Sequence, residues 1–84
     1  MRDSYVYPAI LTVAADGVSV EFPDLPGCLT CGATIEEAIA MAEEALTLHL
    51  RGLDEDGDPI PEPTSISQLA TAPGQIPVLI AANV

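Results

Sequence analysis

The sequence predicts a two-layer α+β fold in the order βββαβ, with one helix packed on one face of a four-stranded sheet. Three observations carry this. Val18-Ser19-Val20-Glu21-Phe22 alternates apolar and polar residues with a period of two, directly behind an Asp16-Gly17 turn. Thr34-Ile35-Glu36-Glu37 is a capping box that opens a run with apolar residues at helical spacing. Ile76 to Ala81 is a short, largely apolar stretch of strand length at the end of the chain.

The elements follow in order. Tyr5 to Val13 is rich in β-branched and aromatic residues, so residues 5–22 read as a β-hairpin with Val18, Val20 and Phe22 on one face and Ser19 and Glu21 on the other. Pro8 has no N–H to give, which predicts an unpaired edge position or a bulge for it. Phe22-Pro23-Asp24-Leu25-Pro26-Gly27-Cys28 then forms a rigid corner. In it, Gly27 takes a φ that other residues avoid, and Asp24 stands beside an exposed Leu25, as in a recognition loop. Leu29 to Gly32 is a short third strand. The helix keeps Ile35, Ala38, Ile39, Ala42, Ala45, Leu46 and Leu53 on one stripe, and Gly52 with the Asp54–Gly57 run ends it. Met41 and Leu48 fall outside the apolar stripe, while His49 falls on it and reads as a packed core residue with one hydrogen bond rather than a catalyst. Asp58-Pro59-Ile60-Pro61-Glu62-Pro63 has proline at every second position and must run extended, as a stiff strap. Thr64 to Gln75 is a polar connection, and the last strand is suited to a covered place in the sheet. Residues 1–84 make one domain with no internal repeat, and the sheet face opposite the helix is a candidate interface.

Composition narrows the function. Thirteen Asp and Glu oppose two arginines, there is no lysine, and the net charge is −11. Such a chain is repelled by phosphate backbones, so direct DNA or RNA binding by this segment is not expected, whereas a basic partner is. No apolar run approaches the ~20 residues that cross a bilayer, and no signal peptide is visible, so no membrane association and a cytoplasmic location are expected. A domain of this length has a small core of its own, which makes a homodimer or higher homo-oligomer expected. Cys28 and Cys31 form a lone CxxC without a second ligand pair for zinc, and on a strand they point to opposite faces, so they read as free thiols. The acids gather on the solvent stripe of the helix and in the 54–56 turn rather than converging within the strands. No nucleophile–base arrangement or phosphate loop is present either. Hence no enzymatic activity, metal or cofactor is expected.

Three stretches, taken together, resemble the HicB antitoxin family: Tyr7-Pro8-Ala9, residues 17–46 (GVSVEFPDLPGCLTCGATIEEAIAMAEEAL) and residues 52–65 (GLDEDGDPIPEPTS). The pairing of the FPDLPGC corner with a capped TIEEA helix and a proline strap is what makes the resemblance specific. It implies a partial ribonuclease-H-like sheet with one packed helix. It also implies a partner: HicA, a small basic ribonuclease that cuts mRNA, relies on a histidine and is masked by its antitoxin. Many family members continue into a helix-turn-helix or ribbon-helix-helix segment that binds operator DNA. The present residues contain none, so DNA binding is not carried over to them. The acids expected to meet such a toxin are Glu21 on the open sheet face, Asp24 in the corner, and Asp54, Glu55 and Asp56 beyond the helix, with Leu25 as an apolar contact. The alternative is a stand-alone acidic homo-oligomeric scaffold with no toxin partner.

Overall fold

The computed structural model of the protein describes residues 4–83. Strands β1 (Ser4–Ala14), β2 (Gly17–Glu21) and β3 (Leu29–Gly32) precede helix α1 (Ile35–Glu55), and strand β4 (Gln75–Asn83) follows it after a 3-10 turn at Ile66–Gln68. All pairings are antiparallel and the strands lie in the order β3-β2-β1-β4. The predicted βββαβ fold is the observed one.

Strand alternation divides the molecule. Tyr5, Tyr7, Ala9 and Leu11 of β1, Val18 and Val20 of β2, and Ile80 and Ala82 of β4 share one face, and all are buried. They meet Ala38, Ala42, Leu46 and Leu50, an i, i+4 stripe of α1, in a single apolar cluster that Ile39, Ala45, Leu53 and Ile60 border. The stripe differs from the sequence reading at three positions, the first being Ile35, which is 40% exposed. Leu50 is fully buried, while His49 is half-buried, at the margin rather than in the core, and has no hydrogen bond among the described residues.

Both prolines inside strands are explained by register. Val13 donates its N–H to Gly74 O at 2.9 Å, so the odd-numbered amides of β1 point to β4 and the even-numbered ones to β2. The β2 pairing ends at Ile10 opposite Glu21, so the N side of Pro8 faces a stretch where β1 has no β2 partner. By the same parity the N side of Pro77, which lies opposite Ile10 in β4, points away from β1. One expectation is corrected here. The apolar last strand is not covered but forms the sheet edge, and Leu79 on it is 57% exposed.

The ends of α1 are set locally. Thr34 caps it, its Oγ1 accepting from Glu37 N at 3.1 Å. Glu37 reaches back one residue further than a standard capping box, accepting from Ala33 N at 3.2 Å. At the other end Gly57, at φ 71, donates to Asp54 O, and Asp58 donates to Leu53 O, the paired bonds of a Schellman stop. Gly52 does not end the helix but lies within its last turns.

Candidate functional site

The corner that joins β2 to β3 is two tight turns in succession. Leu25 donates to Phe22 O and Cys28 to Leu25 O, each at 3.0 Å, and Phe22 N closes the loop on Cys28 O at 3.3 Å. Pro23 and Pro26 occupy the second position of each turn, where a fixed φ is already correct, and Gly27 takes φ 86 at the third position of the second turn. Leu25 is the residue the two turns share, and they fold it inward. It is 1% exposed, packed in the core with Phe22 and Cys28, which corrects the expectation of an exposed contact.

Asp24 is also committed. Its Oδ2 accepts from Thr64 N at 2.9 Å and its Oδ1 from the Thr64 hydroxyl. The Tyr7 hydroxyl donates to Pro61 O, three residues earlier. The proline strap is therefore pinned at two points, and Ile60 between the helix and the first pin packs on the core. Tyr7 and Thr64 were not singled out in the sequence. Their only signal was a hydroxyl placed among otherwise apolar or proline-dominated neighbours.

The acids at positions 54–56 make no side-chain bond of this kind among the described residues. Among the described carboxylates every one is exposed except the half-buried Asp24. Asp54 and Glu55 close the last turn of α1, Asp56 is its C-cap, and no basic residue lies in that turn. Negative charge at a helix C-terminus opposes the helix dipole, so this cluster does not assist folding. At a rise of ~3.1 Å per residue, the six steps from Asp58 to Thr64 span at most ~19 Å. Asp24 fastens the far end of the strap, and the 54–56 cluster precedes its near end.

Glu21 stands on the opposite face of the sheet, between Ile10 and Leu29 in the cross-strand row. Shallow hollows there are lined by Ile10, Thr12, Ser19, Glu21, Leu29 and Cys31. Glu21 is the one acid that a described strand presents to this face. Among the described residues no group of three or more His, Cys, Asp or Glu side chains is placed to hold a metal ion.

The two cysteines part company, although only Cys31 lies in β3 and Cys28 closes the corner just before it. Cys28 is buried and its Sγ lies 3.8 Å from Ala45 O, while Cys31 is exposed on the open face. Burial pushes the Cys28 thiol above its ordinary pKa. A maleimide at neutral pH should therefore label Cys31 alone in the native protein, and Cys28 only after unfolding. Equal labelling of both in native protein, read by mass spectrometry of peptides, would contradict this arrangement.

The sequence and fold have clear relatives. The family model described as HicB_like antitoxin of bacterial toxin-antitoxin system matches residues 7–82. The chain belongs to the HicB-like antitoxin family. It is 38% identical over 84 residues to Antitoxin HicB 2 of Photorhabdus laumondii, covering all of this chain and 58% of that protein. It is 37% identical over 68 residues to an uncharacterized 14.9 kDa protein of Haemophilus phage HP1, covering 81% of this chain and 51% of that one. This HicB-like chain therefore spans about half the length of the curated relatives it matches. Among solved structures, a chain of a HicA3 and HicB3 toxin-antitoxin complex superposes with a TM-score of 0.78 at 27% identity, over 95% of this chain and 100% of that one. No helix among the described residues is long and apolar enough to cross a membrane.

Proposed function

We propose that this HicB-like chain binds a small, basic, HicA-like mRNA-cleaving toxin in the cytoplasm and occludes it, with no catalysis or cofactor of its own. The observation that carries the reading is the placement of charge on a family member. Carboxylates stand exposed along α1, those at its C-terminal end do not serve folding, and a solved relative comes from a HicA–HicB complex. A basic RNA-binding surface is the natural complement of that end. An acidic surface of this kind does not track a phosphate backbone, so the segment serves the toxin and not DNA.

Within the six residues first expected to meet the toxin, the reading now divides. Asp54, Glu55, Asp56 and, on the other face, Glu21 remain candidates for direct contact. Asp24 and Leu25 act behind the surface. Neutralising the cluster as Asp54→Asn/Glu55→Gln/Asp56→Asn should slow association with the cognate toxin by at least about threefold at low salt. The gap should shrink as ionic strength reaches physiological values, where screening acts within ~8 Å. Thermal stability should hold or rise, because the removed charges opposed the helix dipole. Association within a factor of about two of wild type at low salt would remove the electrostatic role. A complete absence of binding by the wild-type protein would favour the scaffold alternative.

A further inference from the structure

Glycine weakens a helix relative to alanine, so one that the fold does not need points to something outside the fold. Gly52 lies inside α1 with ordinary helical backbone, and a Cβ added there would meet nothing within 4 Å. Neither a turn nor a close neighbour requires glycine at this position. The missing side chain leaves a notch in the outer surface of the helix.

The notch ends a line of residues. Met41, Ala45, Leu48 and Gly52 follow one another at steps of four, three and four, about 110° round α1 from the stripe that the sheet covers. Leu48 is 60% exposed and Met41 39%, with Ala45 half-buried between them. Helix α1 therefore carries two apolar stripes, and the second has no cover among the described residues. Its steps are those of the seam by which one helix receives another. Met41 and Leu48 project as knobs, while Ala45 and Gly52 leave room for the knobs of a partner. Glu44, Arg51 and Glu55 run along the outer margin of this seam, and the acids of the 54–56 turn lie at its end.

We propose that this seam receives a basic amphipathic helix of the toxin, with one large apolar side chain of that helix seated over Gly52. The inference rests on the toxin-binding reading above and adds where and how the contact is made. Eleven residue steps at ~1.5 Å each make a seam of ~17 Å, which about three turns of a partner helix cover. A strand has no use for it, because the backbone groups in the middle of a helix are already paired. The charge beside the seam decides the rest. Its margin and its end are acidic apart from Arg51, so the complementary helix carries lysine or arginine beside its apolar positions. A second copy of the same seam would bring like charges together and is repelled. The apolar knobs then set the dissociation rate, while the surrounding acids set the association rate.

The test sets fold stability against binding of the cognate toxin, because the two should move apart. Gly52→Gln fills the notch with a good helix former, so Tm should hold or rise while the toxin dissociates about tenfold faster. Leu48→Glu changes an exposed position, so Tm should hold while affinity falls by about thirtyfold or more. Benzoylphenylalanine in place of Leu48 should crosslink to a helical, lysine- or arginine-rich segment of the toxin. Toxin binding undiminished in both variants would overturn the placement while leaving the toxin reading intact. So would crosslinking into a second copy of this chain, or into the toxin from position 29 on the open sheet face and not from position 48. A wild-type protein that binds no toxin would overturn both.

Discussion

Replacing Gly32 with alanine is expected to cost about 2–3 kcal/mol and to lower Tm by roughly 10–20 °C. Gly32 ends β3 directly beneath the first turn of α1. A Cβ there would stand 2.4 Å from Ala38 N, 2.8 Å from Ala38 Cα and 2.9 Å from Glu37 C. All three atoms are backbone, so no rotamer change relieves the contact and the helix must lift. Lifting it loosens Ala38 and Ala42, the small residues through which α1 sits closest to the sheet, and strains the Thr34 cap beside them. Because a domain this size has only several kcal/mol in hand, the loss is a large share of its stability. Gly52→Ala is the matched control. Nothing lies within 4 Å of a Cβ at Gly52, so alanine there should stabilise by about 0.5–1 kcal/mol through helix propensity. Urea denaturation of the pair decides it, and equal stability of Gly32→Ala and wild type would mean that α1 rides over the added methyl at no cost.

Asp24→Ala should destabilise the protein by about 2 kcal/mol and also weaken toxin binding, whereas Asp24→Asn should do little of either. The alanine variant leaves Thr64 N and the Thr64 hydroxyl without their acceptor at the end of the strap. The strap then keeps the Tyr7–Pro61 bond and the packing of Ile60 but loses its fastening at Thr64. Asparagine has the same shape. Its carbonyl can accept from Thr64 N while its amide donates to the hydroxyl oxygen, since a threonine hydroxyl both gives and accepts. The loss should then stay below about 1 kcal/mol. The comparison separates two roles for one carboxylate. If Asp24 met the toxin through its charge, Asp24→Asn would slow association as much as Asp24→Ala does. If it holds the strap, the asparagine variant keeps the wild-type association rate while Thr64→Ala reproduces the alanine defect. A double-mutant cycle between Asp24 and Thr64 supplies the coupling directly, and additive losses would exclude the latch.

The candidate site was legible in proportion to how local its causes are. Asp54, Glu55 and Asp56 are exposed because the helix stops there, and the stop is written in Gly57 with its left-handed φ. Glu21 points to the open face because strand alternation leaves it no choice. The inward turn of Leu25 and the Asp24–Thr64 bonds were not legible because both depend on residues far along the chain. Thr64 lies forty positions from Asp24, and the core that receives Leu25 is completed by helix residues such as Leu46. Nothing within the seven residues of the corner distinguishes an inward leucine from an outward one until the two turns are placed on the sheet. His49 proved marginal and Leu50, which the sequence reading left unplaced, buried for a similar reason: an ideal helical wheel centres the stripe near His49, but burial follows where the sheet and strap actually lie.

By itself the sequence determined the element order, the strand faces, the helix cap and stop, the turn geometry of the corner and the surplus of acid. Each of these follows from interactions within about four residues, or from a periodicity that backbone geometry imposes on any chain. Only the tertiary structure decided the rest. It put the uncharged last strand on the edge rather than in the interior, since a four-stranded sheet in the order β3-β2-β1-β4 must end somewhere and β4 has β1 as its one neighbour. It turned Pro8 from an anomaly in a central strand into a residue facing the gap beyond Glu21. It also drew Asp24 out of the free acidic surface and into the latch on Thr64. These outcomes depend on which distant segments become neighbours, and that is fixed by how one helix and four strands can bury their apolar faces together, not by any stretch of the chain read alone.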